Sequence, residues 1–391
     1  MAAPPEDEPP PAYDAAPAHG VPPAHGVPPA HGAALAHGAA PAHGAPTRSV
    51  AIHHVRASLR GAERHGADIT ALLEQAAIPP RLLEVPLARV SPRQFARLTK
   101  AVWQELDDEL QGLGPQPLKV GTFAMMCHAV VHCSPDLRSA LDRGSAFYRL
   151  FPGGPRFHLE EKPADEKLAE EKPAEGAHEA RVVFDLAAFD DPDHYLAESA
   201  TVVTHRFAGW LIRSRINLIR VEFSHPPPRH ALEYDLLYGA PCSFRAPRTA
   251  LVFDRAVLDR PVLQDEAELR AFLRRAPGDV LARLDYGSTA AAQVRRLLGQ
   301  SLPDRMPDPQ DVAARLAMSV QTLRRRLAAE GTSFQRIRDQ LRRDVAIAAL
   351  ATGTVSIEDI SQRLGFSEPS AFHRAFKRWT GSAPRSYQPG G

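Results

Sequence analysis

The sequence predicts a multidomain protein in which an α+β N-terminal domain precedes an all-α C-terminal domain built from two helix-turn-helix units. Helix-like and strand-like segments are mixed between residues 50 and 300. A helix-turn-helix pattern lies at 311–327 and is repeated about fifty residues later. The 391 residues exceed the usual size of one domain, roughly 100–200 residues. We therefore expect a tail over 1–47, a mixed domain over 48–300 and a helical domain over 301–391.

Charge and cysteine content narrow the class of protein. Between Leu302 and Gly391 we count 14 Lys and Arg side chains against 9 Asp and Glu, a surplus of five, whereas the whole chain carries +1. A local basic surplus is typical of modules that bind phosphate groups. Cys127, Cys133 and Cys242 are too few and odd in number for a disulfide framework, which favours a reducing cytoplasm. No apolar run reaches about 18 residues, so we expect no membrane span.

Two segments are predicted to have no folded structure of their own. Residues 1–47 repeat an Ala-His-Gly unit every six residues and contain almost no large apolar side chains to bury. Regularly spaced histidines can chelate a divalent metal, but a low-complexity tail is the simpler interpretation. Residues 160–179 contain Glu-Glu-Lys-Pro twice and are predicted to form a charged, mobile loop between two strands. The repeated tail histidines are His19, His25, His31, His37 and His43.

The region from residue 50 to 300 is predicted to mix helices and strands. Ser91-Pro92, for example, offers an N-cap followed by a proline in the first turn of a helix. Apolar and polar residues alternate in the second and third predicted strands. Helices are expected near Val55–Ala77, Ser91–Gly112, Gly121–Cys133, from Ser134 to Phe147, His205–Asn217 and Ser288–Leu298. Strands are expected at Arg156–Glu160, Ala180–Asp185, Ile219–Ser224 and Ala250–Asp254.

The first helix-turn-helix pattern covers Asp311–Leu327. Ser319 is a suitable N-cap for its second helix. Arg can pair bidentately with guanine and Gln with adenine, and each good pair gives about 1–3 kcal/mol of discrimination between bases. Apolar positions are Val312, Leu316, Val320, Leu323 and Leu327. The residues turned outward, which we expect to contact DNA, are Gln321, Thr322, Arg324 and Arg325.

The second pattern consists of helices predicted at Ile357–Leu364 and Glu368–Trp379, after a linker helix at Phe334–Ala351. The linker helix is expected to turn Ile337, Leu341, Val345 and Ala348 inward. Two reading helices on one stiff linker could face consecutive major grooves, about 34 Å apart. The alternative is a helical bundle that merely carries surface arginines. Phe372, Phe376 and Trp379 are expected in the core, while the outward residues are Ser370, Ala371, His373, Arg374 and Lys377.

The stretch Gly365–Gly381, followed by Pro384 and Tyr387, resembles the C-terminal signature of AraC/XylS-family regulators. The resemblance covers about Asp308–Gln388, and it implies base contacts by the outward residues of both units, with Ala371 limited to a methyl contact. Residues 50–300 resemble the arabinose-binding-type ligand domain of one subgroup of that family, although no particular ligand is implied. The segments that carry this second resemblance are Ile69–Pro80, Leu118–Cys133 and Ser134–Phe151.

The resemblance implies a bacterial one-component transcription regulator that binds double-stranded promoter DNA in the cytoplasm, at the nucleoid. An unknown small-molecule effector would bind the N-terminal domain, whose ligand-binding residues we cannot assign. The chain would contact RNA polymerase if it is an activator, and it could form a homodimer through the helix at Ser288–Leu298. In one rival interpretation the N-terminal domain only dimerises or binds a protein. In another, an enzyme with an activated cysteine is fused to the DNA-binding module.

We assign no catalytic residues, no cofactor and no metal site from the sequence. His128 and His132 have the i, i+4 spacing of helical zinc ligands. Cys127 and Cys133, however, do not share one helix face with both histidines, so packed or surface histidines are the preferred interpretation.

Overall fold

We obtained a computed structural model of the chain, which describes residues 49–161, 178–228, 231, 234–277, 289–301 and 306–388. The predicted tail lies outside these ranges, as does the centre of the predicted charged loop. Glu160 and Glu161 end one strand and Glu179 begins the next, so both edges of that predicted loop belong to the sheet.

The N-terminal half, residues 49–277, contains eight α-helices among its described residues. They are α1 (Ile52–Arg64), α2 (Ile69–Gln75), α3 (Pro92–Leu106), α4 (Thr122–Cys133), α5 (Leu137–Tyr148), α6 (Tyr195–Leu211), α7 (Tyr234–Tyr238) and α8 (Glu266–Arg275). The strands are β1 (Val50–Ala51), β2 (Arg89–Val90), β3 (Arg156–Glu161), β4 (Glu179–Asp185), β5 (Leu218–Phe223), β6 (Cys242–Phe244) and β7 (Thr249–Asp254).

Five of these strands form one sheet in the order β3-β4-β7-β5-β6. All neighbours are antiparallel except β5 and β6, which run parallel. The register pairs Val182 of β4 with Leu251 of β7. Every residue of the central strand β7 except the last is buried, as expected for a strand covered on both faces. The predicted α+β class and the four predicted strands are therefore confirmed.

Several helix boundaries differ from the sequence prediction. The stretch predicted at Val55–Ala77 contains two helices, because Gly66 adopts φ +77° and Asp68 caps a new helix by accepting a hydrogen bond from the backbone N–H of Ala71. Similarly, Asp136 rather than Ser134 caps α5, by accepting from the backbone N–H of Ser139 at 2.8 Å.

A helix was predicted over His205–Asn217, but the observed helix α6 begins and ends earlier in the chain, at Tyr195 and Leu211. The Asp191 carboxylate accepts hydrogen bonds from the backbone N–H groups of Leu196 and Ala197, at 2.8 and 3.2 Å. These hydrogen bonds satisfy backbone N–H groups of the first helical turn, which have no acceptor within the helix. Arg213 has φ +46°, so the helix does not continue towards Asn217.

The C-terminal half contains six α-helices in its described residues, and they pack into two separate hydrophobic cores. The first core joins the helix that precedes the first helix-turn-helix unit to that unit. The second core includes the second unit and is continuous with the core of the N-terminal half. The helices are α9 (Ala290–Gln300), α10 (Pro309–Arg315), α11 (Val320–Ala329), α12 (Phe334–Thr352), α13 (Ile357–Arg363) and α14 (Pro369–Thr380).

The linker helix α12 belongs to both cores. Its N-terminal half contributes Ile337 and Leu341 to the first core, whereas Ile347 and Leu350 lie in the second. The predicted inward positions Val345 and Ala348 are only half-buried. The buried face shifts along the helix because its two halves pack against different neighbours.

Helix α9, which the sequence suggested as a dimerisation helix, buries its apolar face within the same chain. Val294 and Leu298 are fully buried in the first core. The Glu330 carboxylate accepts hydrogen bonds from the backbone N–H groups of Ala290 and Ala291, both at 2.8 Å. That apolar face is therefore already covered, and α9 shares its core with the first helix-turn-helix unit rather than with the mixed domain.

Candidate nucleic-acid interface and effector cavity

The first unit presents a polar face on α11. Ser319 caps this helix by accepting a hydrogen bond from the backbone N–H of Thr322 at 3.1 Å. Leu323 and Leu327 are buried, which turns the opposite face to solvent. Gln321, Arg324 and Arg325 are exposed as predicted, whereas Thr322 is half-buried and its hydroxyl lies 2.9 Å from that of Ser319. Three of the four predicted residues are thus exposed.

The second unit presents the corresponding face on α14. Phe372 and Phe376 are fully buried and Trp379 packs against the same core, as predicted. Phe366 lies in the turn before this helix. The Arg342 guanidinium of α12 sits over its aromatic ring, with the Arg342 Cζ atom 5.0 Å from the ring centroid. The outward residues Ser370, His373, Arg374 and Lys377 are exposed and Ala371 is half-buried.

The basic side chains on these two faces are not neutralised by neighbouring carboxylates. Within residues 306–388, no ion pair involves Arg324, Arg325, Arg374 or Lys377. Arg326 and Arg378 are exposed on the same helices and likewise have no ion pair among the described residues. Both faces therefore carry positive charge that is available to phosphate groups.

The turns of the two units differ at one backbone position. Gly365 closes the second turn with φ +73°, in the left-handed region that glycine tolerates. In the first turn, Ala317 occupies that region with φ +53°. A side chain there costs about 1–2 kcal/mol. The first turn is therefore the more strained of the two.

The second unit packs directly against the N-terminal half. The Ser49 hydroxyl donates to the buried Asp344 carboxylate on α12 at 2.5 Å, and the Arg89 guanidinium donates to the Ser49 hydroxyl at 2.7 Å. The Arg81 guanidinium donates twice to the backbone carbonyl of Ser386, at 3.1 and 2.9 Å. These contacts use α12 and the chain end, which leaves the polar face of α14 exposed.

A cavity of about 330 Å³ lies in the N-terminal half. Helices α3, α4, α6 and α8 contribute to its wall. Its surface is mostly apolar, which suits a small organic molecule. Representative apolar lining residues are Leu118, Phe123, Phe189, Leu196, Val203 and Leu273.

Few polar groups face this cavity, and most of them already have partners. The Glu109 carboxylate accepts hydrogen bonds from the backbone N–H groups of Gly121 and Phe123, both at 2.8 Å. Burial raises the pKa of Glu109. Gln111 donates to the Tyr195 hydroxyl at 3.2 Å. By contrast, the buried Nε1–H of Trp103 has no acceptor among the described residues.

Two groups of side chains have the composition of metal-ligand sets. His128, His132 and Glu266 converge on the surface between α4 and α8, while His53, His54 and Glu198 form an inner group. No local sequence pattern indicates that Glu266 joins this group, because it lies 134 positions from His132.

Cys127 is buried, and this burial raises the pKa of its thiol well above the usual range. Cys127 therefore lacks the character of an activated nucleophile.

An α+β domain followed by two helix-turn-helix units with exposed basic faces defines a class of DNA-binding regulators. The family model described as the arabinose-binding domain of AraC transcription regulators matches residues 66–262, and a helix-turn-helix domain model matches 312–389. The chain therefore belongs to the AraC family of transcription regulators. No described helix is both long and apolar enough to cross a membrane.

Individual relatives are similar over different shares of the chain. An ornithine utilization regulator from Pseudomonas aeruginosa is 28% identical over 340 residues, which is 87% of this chain and 96% of that protein. The regulator VqsM of the same organism is 30% identical over 154 residues, 39% of this chain and 44% of its own length. The crystal structure of the P. aeruginosa regulator CdpR aligns with a TM-score of 0.26 and 18% identity, over 86% of this chain and 97% of that one.

Proposed function

We propose that the chain binds promoter DNA through the polar faces of α11 and α14 and that a small effector in the cavity of the N-terminal half controls this binding. The observation that carries the DNA-binding part is the pair of exposed basic faces without ion pairs among the described residues, one in the unit before α12 and one in the unit after it. Arg324, Arg325 and Gln321 would contact base edges in one groove, and His373 and Arg374 in the next.

Three of the residues predicted to contact DNA can contribute little to base recognition in this proposal. The Thr322 hydroxyl is engaged with the N-cap Ser319, and Ser370 donates to the Glu368 carboxylate at 3.2 Å. Ala371 offers only a methyl group. The first unit would therefore read more of the sequence than the second, while Lys377 would contact phosphate.

Binding assays with the full-length chain test this part of the proposal. Fragments of its own genome would be selected at fixed moderate salt and footprinted. We expect protection of two successive major grooves about one helical turn apart. Equal binding to all fragments, or protection of a single groove, would contradict the assignment of two reading helices.

The chemistry of the cavity restricts the effector. Among the described lining residues Glu109 is the only acidic side chain, and none is a lysine, arginine or histidine. A carboxylate on the effector would lose its water without gaining a cationic partner, which is costly. We infer a neutral, mostly apolar molecule. Trp103 lines the cavity and its Nε1–H has no acceptor among the described residues, so an acceptor on the molecule that reaches this group would gain a hydrogen bond. An α-amino acid such as ornithine, which figures in the name of one relative, does not fit this lining.

Contacts between the halves supply a route for control. The cavity and the hydrogen bonds from Ser49, Arg81 and Arg89 to the second unit belong to the same half of the chain. An effector controls DNA binding only if it favours one of two conformations. We propose that these conformations differ in how the N-terminal half holds α12. As further parts of this proposal, the protein acts in the cytoplasm at the nucleoid, contacts RNA polymerase if it is an activator, and is able to form a homodimer.

Thermal unfolding of the full chain with metabolite classes tests the effector. Neutral apolar compounds that bind should raise Tm, and the stabilisation should grow with the logarithm of one plus the ratio of concentration to Kd. Trp103→Phe should weaken that binding roughly 2- to 12-fold, the value of one hydrogen bond. Trp379→Phe, a tryptophan that does not line the cavity, is the matched control. If only acidic compounds bind, the proposed chemistry is wrong. If no compound binds while DNA binding persists, the N-terminal half serves dimerisation or a protein partner instead.

A further inference from the structure

Two histidines on α4 and one carboxylate on α8 meet at the surface of the N-terminal half. His128 and His132 are one helical turn apart, and their rings stack with centroids 5.9 Å apart and an interplanar angle of 21°. Glu266 Oε2 lies 3.5 Å from His128 Nδ1 and 2.8 Å from His132 Nε2. One carboxylate oxygen is thus shared by two imidazole nitrogens that belong to a different helix.

The three donor atoms have the spacing of a coordination sphere. All of them lie within 4.8 Å of one another. Tetrahedral zinc with ligand distances of about 2.0–2.1 Å separates neighbouring ligand atoms by about 3.3 Å. The two nitrogen–oxygen distances, 3.5 and 2.8 Å, lie on either side of that value, so small side-chain rotations suffice to accommodate an ion.

The surroundings hold the carboxylate in place. Glu266 is the first residue of α8, and Asp265 caps that helix by accepting from the backbone N–H of Glu268 at 2.9 Å. Arg270 pairs with the other carboxylate oxygen, Oε1, at 2.5 Å, which leaves Oε2 directed at the histidines. A glutamate side chain is ionised at neutral pH, so the oxygen that faces the imidazoles carries negative charge.

We propose that His128, His132 and Glu266 form a binding site for one divalent transition metal ion of the zinc type. Two imidazoles and one carboxylate suit zinc and its neighbours, whereas magnesium and calcium prefer ligand sets made wholly of oxygen. The ligands are partly exposed, with 38%, 46% and 36% of their side-chain surfaces accessible, so a water molecule can complete the fourth position.

A bound ion would fasten α8 to α4. The two helices already pack together, and the rings of Phe123 and Phe272 approach to 6.5 Å between centroids. An ion that binds only the folded arrangement stabilises it, and the stabilisation grows with the logarithm of one plus the ratio of ion concentration to Kd. Metal binding is thus expected to raise the thermal stability of the full chain.

Titration of the full-length chain with zinc chloride tests the site. The tail offers five further histidines, so all variants carry His→Gln at positions 19, 25, 31, 37 and 43, with the unaltered chain measured in parallel. We expect one zinc ion per chain in the tail-substituted background, together with a rise in Tm. His132→Gln and Glu266→Gln should each weaken binding at least tenfold and abolish the Tm rise, because they remove ligands. Cobalt chloride should give the absorption spectrum of a tetrahedral site.

Controls separate this site from other donors. His158→Gln removes an exposed histidine that pairs with Glu160 at 3.0 Å and should leave zinc binding unchanged. Cys133→Ser should also leave it unchanged. Unaltered zinc affinity in both His132→Gln and Glu266→Gln would overturn the proposal, provided that circular dichroism shows folded protein. Loss of binding in Glu198→Gln or Cys133→Ser but not in Glu266→Gln would likewise overturn it, because the ion would then sit elsewhere.

Discussion

Replacing Arg324 by alanine separates recognition from stability most cleanly. This side chain is exposed on α11 and has no ion pair among the described residues. Its removal should therefore change the free energy of unfolding by no more than about 0.5 kcal/mol. If the guanidinium pairs with a guanine, the variant loses about 1–3 kcal/mol at the cognate site. That loss corresponds to a roughly 5- to 150-fold weaker Kd.

Fluorescence anisotropy at fixed salt would measure Kd for the selected site, for single-base variants of it and for random DNA. We expect Arg324→Ala to lose affinity for the selected site and to lose its preference at one base position. Arg326→Ala is the matched control, since Arg326 is exposed on the same helix and is not assigned to a base. It should leave the order of preference unchanged. An equal loss for Arg324→Ala on random DNA would refute base recognition by this side chain.

Three further perturbations probe charge, backbone strain and burial. Lys377→Ala should weaken binding to all sequences alike and reduce the slope of log K against log salt by about one, because one phosphate contact is lost. Ala317→Gly should raise the free energy of unfolding in urea by about 0.5–1 kcal/mol, since glycine tolerates φ +53°. Burial raises the pKa of Asp191 to about 6. The folded state therefore binds this proton more tightly than the unfolded state, and stability falls as pH rises from about 4 to 6. Asp191→Asn should remove that fall while keeping an acceptor for Leu196.

Each of these has a control or a contradicting result. Lys119→Ala removes an exposed lysine of the N-terminal half that pairs with Asp107, and it should leave the salt slope unchanged. Gly365→Ala, at φ +73°, should destabilise the second unit by about 1 kcal/mol. If Ala317→Gly also destabilises, strain in the first turn is not the controlling factor. A constant stability difference between Asp191→Asn and the original chain from pH 4 to 7 would show that Asp191 titrates normally.

The helix-turn-helix units could be read from the sequence because their pattern is local. Once Phe372 and Phe376 occupy the core at i, i+4, the geometry of the helix turns His373 and Arg374 outward. The same argument placed Gln321, Arg324 and Arg325. Helix α8 was not predicted and α6 was displaced, since their first turns depend on caps from Asp265 and Asp191, which periodicity does not reveal.

The amino-acid sequence by itself determined the order of domains, four of the five strands of the sheet and the outward faces of α11 and α14, because each depends on patterns among residues that are close in sequence. Only the tertiary structure decided what the distant segments form together. It brought Glu266 to His132 across 134 positions, Ser49 to Asp344 across 295, and the apolar face of α9 against the first unit. Such contacts arise from the packing of whole elements against one another, and no local spacing of residues encodes which elements will meet.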